Sequence, residues 1–188
     1  MMEINQTQHV SQRILGVLTL NNSIIDEVIE RDDLNSEASK ILIVSLIIPS
    51  IVLTITLGKT DEFSVLLLLT FGTLIYSISF MTMFRYLLSK FVELINVKID
   101  RKTFYRIFSY SFVLYPLNSF FILFVVFGQP SNPMYGLIIL QVGFISMILK
   151  KSIKSNWMII FTFFSFLIAG LLALTAMITV AYGIILIS

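Results

Sequence analysis

Polar and apolar positions follow two regimes along this chain. Over the first forty residues they recur at helical spacing in short amphipathic stretches: Val10, Ile14, Val17 and Leu18 share one face while Gln12 and Arg13 turn away, the pattern of a short helix lying in a membrane interface. Asn21 and Asn22 end that stretch. Ser23 followed by Asp26 resembles a capping box, and Ile24, Ile25, Val28 and Ile29 then form a second stripe beside Asp26, Glu27, Glu30, Asp32 and Asp33. Asn35 or Ser36 is placed to cap the next helix, with Glu37 favourably in its first turn.

From Ile41 onward periodicity gives way to length. A bilayer core of about 30 Å needs about 20 helical residues to cross it, and five apolar runs approach that measure: Ile41 to Leu57, Phe63 to Phe84, Ile107 to Phe127, Met134 to Leu149 and Trp157 to Ile187. The fourth covers only about 24 Å at 1.5 Å per residue, so Lys150 and Lys151 are expected to snorkel. The fifth is long and must tilt, kink or protrude. Between the second and third runs, Phe84, Leu87, Leu88, Phe91, Leu94 and Ile95 trace one helical face, which predicts a third interfacial helix over 86–97. Asp100 or Thr103 is then the cap of the helix that becomes the third span. The expected fold is all-α and polytopic: an amphipathic region over 1–40, then a five-span membrane domain over 41–188.

Charge orients this arrangement, since hydropathy placed the runs without reference to it. With the amino terminus inside, twelve of the thirteen Lys and Arg fall inside and only Lys59 falls outside. Six of them, Arg85, Lys90, Lys98, Arg101, Lys102 and Arg106, share the central connection. The expected topology is therefore amino terminus cytoplasmic and carboxyl terminus extracytoplasmic.

Composition agrees, with 57% hydrophobic and 13% charged residues against roughly 25% charge in soluble domains. Cysteine is absent, which excludes disulfides, thiol catalysis and thiolate metal sites. The lone His9 cannot build a histidine metal cluster, and no cofactor is expected. The basic connections point to anionic lipid headgroups rather than to nucleic acid. Arg85, Arg101, Lys102 and Arg106 are the candidate headgroup contacts, with plain orientation signalling as the alternative.

No acidic or basic residue, and no histidine, lies within any of the five runs. Proton relays, ion pumps and voltage sensors need buried ionisable groups, and intramembrane hydrolysis needs a general base; neither is expected, and the chain is not read as an enzyme. Two amides remain, Asn118 midway along the third run and Gln141 midway along the fourth. They are read as an interhelical hydrogen bond, the alternative being a polar patch for a permeating solute. Pro49 and Pro116 each interrupt a run and are read as helix kinks rather than moving hinges. Ala169, Ala173 and Ala176 line one face of the last run, for internal packing or a partner surface.

Two stretches carry a family resemblance. RILGVLTLNNSIIDEVIERDDLNSEASKILIVSLIIPSIV, Arg13 to Val52, and FYRIFSYSFVLYPLN, Phe104 to Asn118, resemble the opening and the proline-containing helix of the Yip family, membrane proteins named for interaction with Ypt/Rab GTPases. The resemblance implies a cytosolic amino terminus, five membrane helices and a non-enzymatic scaffold or adaptor role in membrane organisation or trafficking, often through hetero-oligomers of related proteins. The Asp-Leu-Tyr-Gly-Pro motif of eukaryotic members is missing, and Asn96 to Lys102 stands where a glycine pair is common. The chain therefore looks more like the compact prokaryotic members, and a small GTPase partner is not favoured. Alternative readings are an uncharged-solute permease or channel subunit, and a membrane anchor subunit of a larger complex.

Overall fold

The computed structural model describes the backbone of residues 3–57, 63–119 and 132–187, with side chains over 10–56, 70–117, 119 and 136–179. Among the described residues there is helix and no strand. The helices are α1 (Glu3–Leu18), α2 (Asn22–Glu30), α3 (Asn35–Leu57), α4 (Phe63–Leu94), α5 (Arg101–Ser111), α6 (Asn132–Ile153) and α7 (Trp157–Ile187), with short 3-10 turns at Asp32–Leu34 and Phe112–Asn118.

α1 and α2 form a tight hairpin. Leu20 takes a left-handed conformation (φ 55°), while Asn21 N–H returns to the Gly16 carbonyl at 2.8 Å and Leu20 N–H to Val17 at 3.0 Å, the paired bonds of a Schellman stop. The cap of α2 is Asn21, whose side chain accepts from Ser23 N–H at 3.0 Å. The Ser23 capping box is thus replaced by a cap two residues earlier, because Asn21 already sits in the extended conformation a cap requires.

Four helices are long and apolar enough to cross a bilayer, with qualifying segments at Asp32–Thr56, Thr70–Leu94, Gly136–Ile153 and Trp157–Thr179. Their outward faces are apolar, including Ile43, Ile47, Ile51 and Ile55 on α3 and Phe163, Phe164, Leu167 and Leu171 on α7, a surface suited to lipid rather than water. The chain is an all-helical, multi-pass membrane protein.

The third run departs from its expected form. Its α-helix begins at Arg101 and gives way at Phe112 to a 3-10 stretch containing Pro116, and residues 120–131 lie outside the described residues. Proline donates no amide hydrogen and disfavours α geometry in the residue before it, which fits the tighter coil. Among the described residues four helices therefore qualify as spans, and the rest of the third run, on which a fifth depends, lies outside them. Pro49, in contrast, lies inside the unbroken α3.

The predicted interfacial helix over 86–97 does not stand apart. α4 continues through it to Leu94, for 32 residues, because nothing between Phe84 and Leu94 breaks a helix and Leu88 and Val92 stay buried against neighbours. At 1.5 Å per residue α4 is about 48 Å long, well beyond a core of about 30 Å. α6 likewise runs past Leu149, and Lys151 Nζ donates to the Leu20 carbonyl at 2.6 Å, tying the end of α6 to the α1–α2 turn.

α4 and α7 pack antiparallel along most of their described length. Met177 lies beside Gly72, Gly170 beside the Tyr76 hydroxyl, Phe166 against Phe80 at 5.1 Å and Phe161 stacked on Phe91 at 4.5 Å. Ala169 and Ala173 are fully buried and Ala176 is half-buried, so this small-residue face serves internal packing, where small side chains let helices approach. Phe80, Phe84, Phe108, Phe112 and Tyr115 continue the core as a chain of ring contacts into α5 and the 3-10 stretch.

Candidate functional site

The starts of α3, α5 and α7 and the ends of α4 and α6 meet at one end of the bundle, capped by the α1–α2 hairpin. Two polar constructions occupy it.

The first fastens the hairpin. Arg106 on α5 is fully buried. Its Nε donates to the Val28 carbonyl and its Nη2 to Ile29 at 2.6 Å, both at the end of α2. Its Nη1 reaches Asp32 Oδ1 at 2.9 Å and Asn35 Oδ1 at 3.0 Å. A guanidinium there satisfies carbonyls that a helix end leaves orphaned, and its charge favours that end of the dipole. Arg106 was expected to face lipid headgroups; the structure withdraws it from that surface, since four acceptors from 71 to 78 residues away hold it inside.

Arg13 makes the second fastening and is also buried rather than turned to solvent. It binds Glu37 bidentately, through Nε at 2.9 Å and through Nη2, and its Nη1 approaches Glu27 at 3.4 Å. The Tyr110 hydroxyl donates to the same Glu37 carboxylate. Hydrogen bonding to Glu37 holds the Arg13 guanidinium above its ordinary value. α1, α2, α3 and α5 are thereby joined through Arg13, Glu27, Glu37 and Tyr110. Sequence reading missed this set because hydropathy assigns a lone arginine to the wet face of a helix; Glu37 in the first turn of α3 was the one signal present.

The second construction is a groove of about 810 Å³ between the end of α4 and the start of α5. It is shaped by a sharp turn in which Asn96 takes φ 57°, a conformation asparagine tolerates well. Asp100 then caps α5, accepting from the Lys102 amide at 2.9 Å and the Thr103 amide at 3.4 Å; these bonds hold its carboxyl below the usual carboxylate range. Arg85, Lys90, Arg101 and Lys102 line the groove together with Tyr86 and Tyr105. Lys90 pairs with Glu93 at 2.8 Å, whereas Arg85, Arg101 and Lys102 make no salt bridge among the described residues, although the Asp100 carboxylate lies near enough to Lys102 to feel its charge. The Arg85 guanidinium lies 5.4 Å from the Tyr105 ring centre, a geometry that steadies a cation without neutralising it. Asn35 lines the groove and also accepts from Arg106, so the two constructions share a wall.

Of the intramembrane amides, Gln141 is buried and its Nε2 donates to the Leu114 carbonyl at 3.2 Å, in the 3-10 stretch around Pro116. The Asn118 side chain lies outside the described residues, so the proposed pairing with Gln141 does too.

No family model matches the chain, and no curated protein and no solved structure matches it either.

Proposed function

We propose that the chain is a non-enzymatic scaffold or adaptor of membrane organisation or trafficking, of the kind implied by its resemblance to compact members of the Yip family. The end carrying the hairpin and the groove faces the cytoplasm, and the carboxyl terminus lies outside. The observation that carries this reading is the gathering of Arg85, Arg101 and Lys102, which make no salt bridge among the described residues, into one groove where α4 outruns the bilayer. Unneutralised cations at that level are attracted to the anionic inner leaflet by about 1 kcal/mol each. The two arginine fastenings make the surrounding surface a fixed one, as an adaptor requires, and the membrane spans anchor it. Homo- or hetero-oligomers with related membrane proteins are the expected assemblies.

Purification in a gentle detergent, combined with reporter fusions, tests the proposal. Co-purification with another membrane protein, and a cytoplasmic reporter at Ser152 to Asn156, support it. An extracytoplasmic reporter there, or solute flux through liposomes holding the purified chain alone, overturns it.

A further inference from the structure

Resting on that orientation, we propose that the groove between α4 and α5 is a site for one phospholipid headgroup carrying two or more negative charges, as in a phosphomonoester lipid, rather than a diffuse surface for any anionic lipid. Four cations and the carboxylate of Glu93 line it, and the Asp100 carboxylate stands beside Lys102, which leaves an excess of two positive charges. A headgroup with one negative charge leaves half of that excess unanswered in a concave site, where fields are stronger than on an open surface.

Three features separate this groove from the other cations at the same end. Arg13, Arg31 and Arg106 are already answered by carboxylates, whereas three of the groove's cations make no salt bridge among the described residues. Lys40, Lys98 and Lys150 are exposed but do not line it. Finally, the volume of about 810 Å³ falls within the range of about 300–1,000 Å³ of small-molecule sites, and Val97, Ile99 and Phe104 give it apolar wall beside the charges, as a glycerol backbone and the first acyl carbons require.

Asp100 narrows the chemistry further. Its carboxylate occupies the amides of Lys102 and Thr103, so the start of α5 does not offer them to a phosphate. Recognition then falls to side chains: Arg85 and Arg101 can each present two parallel N–H donors to a phosphate, and Lys102 a point charge. A phosphomonoester offers three terminal oxygens and a second charge for such an arrangement, whereas a phosphodiester offers two terminal oxygens and one charge.

Native mass spectrometry of the full chain in detergent, titrated with phosphatidic acid, phosphatidylglycerol, phosphatidylcholine and inorganic pyrophosphate, tests the inference. The expected result is one bound phosphatidic acid, held at least tenfold more tightly than phosphatidylglycerol. The triple variant R85Q/R101Q/K102Q loses that preference, and K40Q/K98Q/K150Q, which removes equal charge outside the groove, keeps it. R101Q alone, at an exposed side chain, weakens the binding as well. Equal losses in the two triple variants, or equal affinity for the two anionic lipids, overturn the site. Pyrophosphate bound as tightly as phosphatidic acid overturns the lipid and assigns a soluble phosphate compound. None of these outcomes depends on topology or co-purification, so the scaffold reading stands or falls separately.

Discussion

Arg106 Nη2 donates to the Ile29 carbonyl at 2.6 Å across 77 residues of sequence, and this bond, with its neighbour to Val28, fixes the end of α2 to α5. The residue is fully buried while its ion-pair partner Asp32 has a side chain 82% exposed. The carbonyls, rather than the ion pair, set its value.

Replacing Arg106 with Met therefore leaves the buried Val28 carbonyl and the partly buried Ile29 carbonyl without this donor, each buried loss costing about 1–3 kcal/mol, and R106M should destabilise the protein by about 3 kcal/mol. D32N should cost less than about 1 kcal/mol, as exposed ion pairs do. Lysine at 106 should fall between, since one ammonium cannot span acceptors on both α2 and the start of α3. Thermal unfolding in detergent orders the three variants, and limited proteolysis should show the α1–α2 hairpin released first in R106M. Equal effects of R106M and D32N would refute the assignment to the carbonyls.

Gly16 sets how closely the hairpin closes. A Cβ there would lie 2.6 Å from Ile24 Cγ1 and 2.9 Å from Ile24 Cβ, inside any real contact, and neither is the free end of a flexible side chain. G16A should destabilise by about 1–3 kcal/mol, the usual range of overpacking. Combining it with I24A removes Cγ1 but not Cβ, so rescue should be partial. A double-mutant cycle on melting temperature measures this, and simple additivity would show that the contact is not the cause.

How much of this was legible beforehand differs by element. The apolar runs of α3, α4, α6 and α7 are visible because their outward faces meet lipid, where apolarity continues around the helix. The end of α4 is not, because the basic and polar residues after Phe84 look like an interface while still allowing a helix to continue. Three of the four expected headgroup cations, Arg85, Arg101 and Lys102, do converge in one groove. Arg106 cannot be separated from them by type or spacing. Its burial is decided by Val28, Ile29, Asp32 and Asn35, residues that only the folded chain brings near it. The Arg13 and Glu37 pair is illegible for the same reason, being 24 residues apart.

Gln141 satisfies the Leu114 carbonyl beside Pro116, in a segment where the regular helical ladder is interrupted. Q141L removes the donor and leaves that carbonyl unanswered in a region with little water, so it should cost about 1 kcal/mol. Glutamate at this position should cost more, because an ionised carboxylate repels the carbonyl it faces and pays for burial. Unfolding midpoints in mixed micelles distinguish the two; a Q141E protein as stable as wild type would place this side chain in water.

Asp100 makes the groove sensitive to acid. Its carboxylate accepts two amide hydrogens in the folded chain and titrates below the usual carboxylate range, whereas in the unfolded chain it titrates near 3.9. A folded-state value lowered in this way means that the cap's contribution is complete above the unfolded value and is lost as pH falls through the lowered one. Other carboxylates titrate in the same window, so the informative quantity is the difference from D100N, whose amide oxygen also caps a helix but carries no titratable proton. Wild type should be at least as stable as D100N at neutral pH, and the gap should close or reverse below about pH 4. D100A should be the least stable at neutral pH and should lose phosphatidic acid affinity as well, because the first turn of α5 positions Arg101 and Lys102. If D100A loses stability while keeping that affinity, the cap supports the helix alone and the two cations find their places without it.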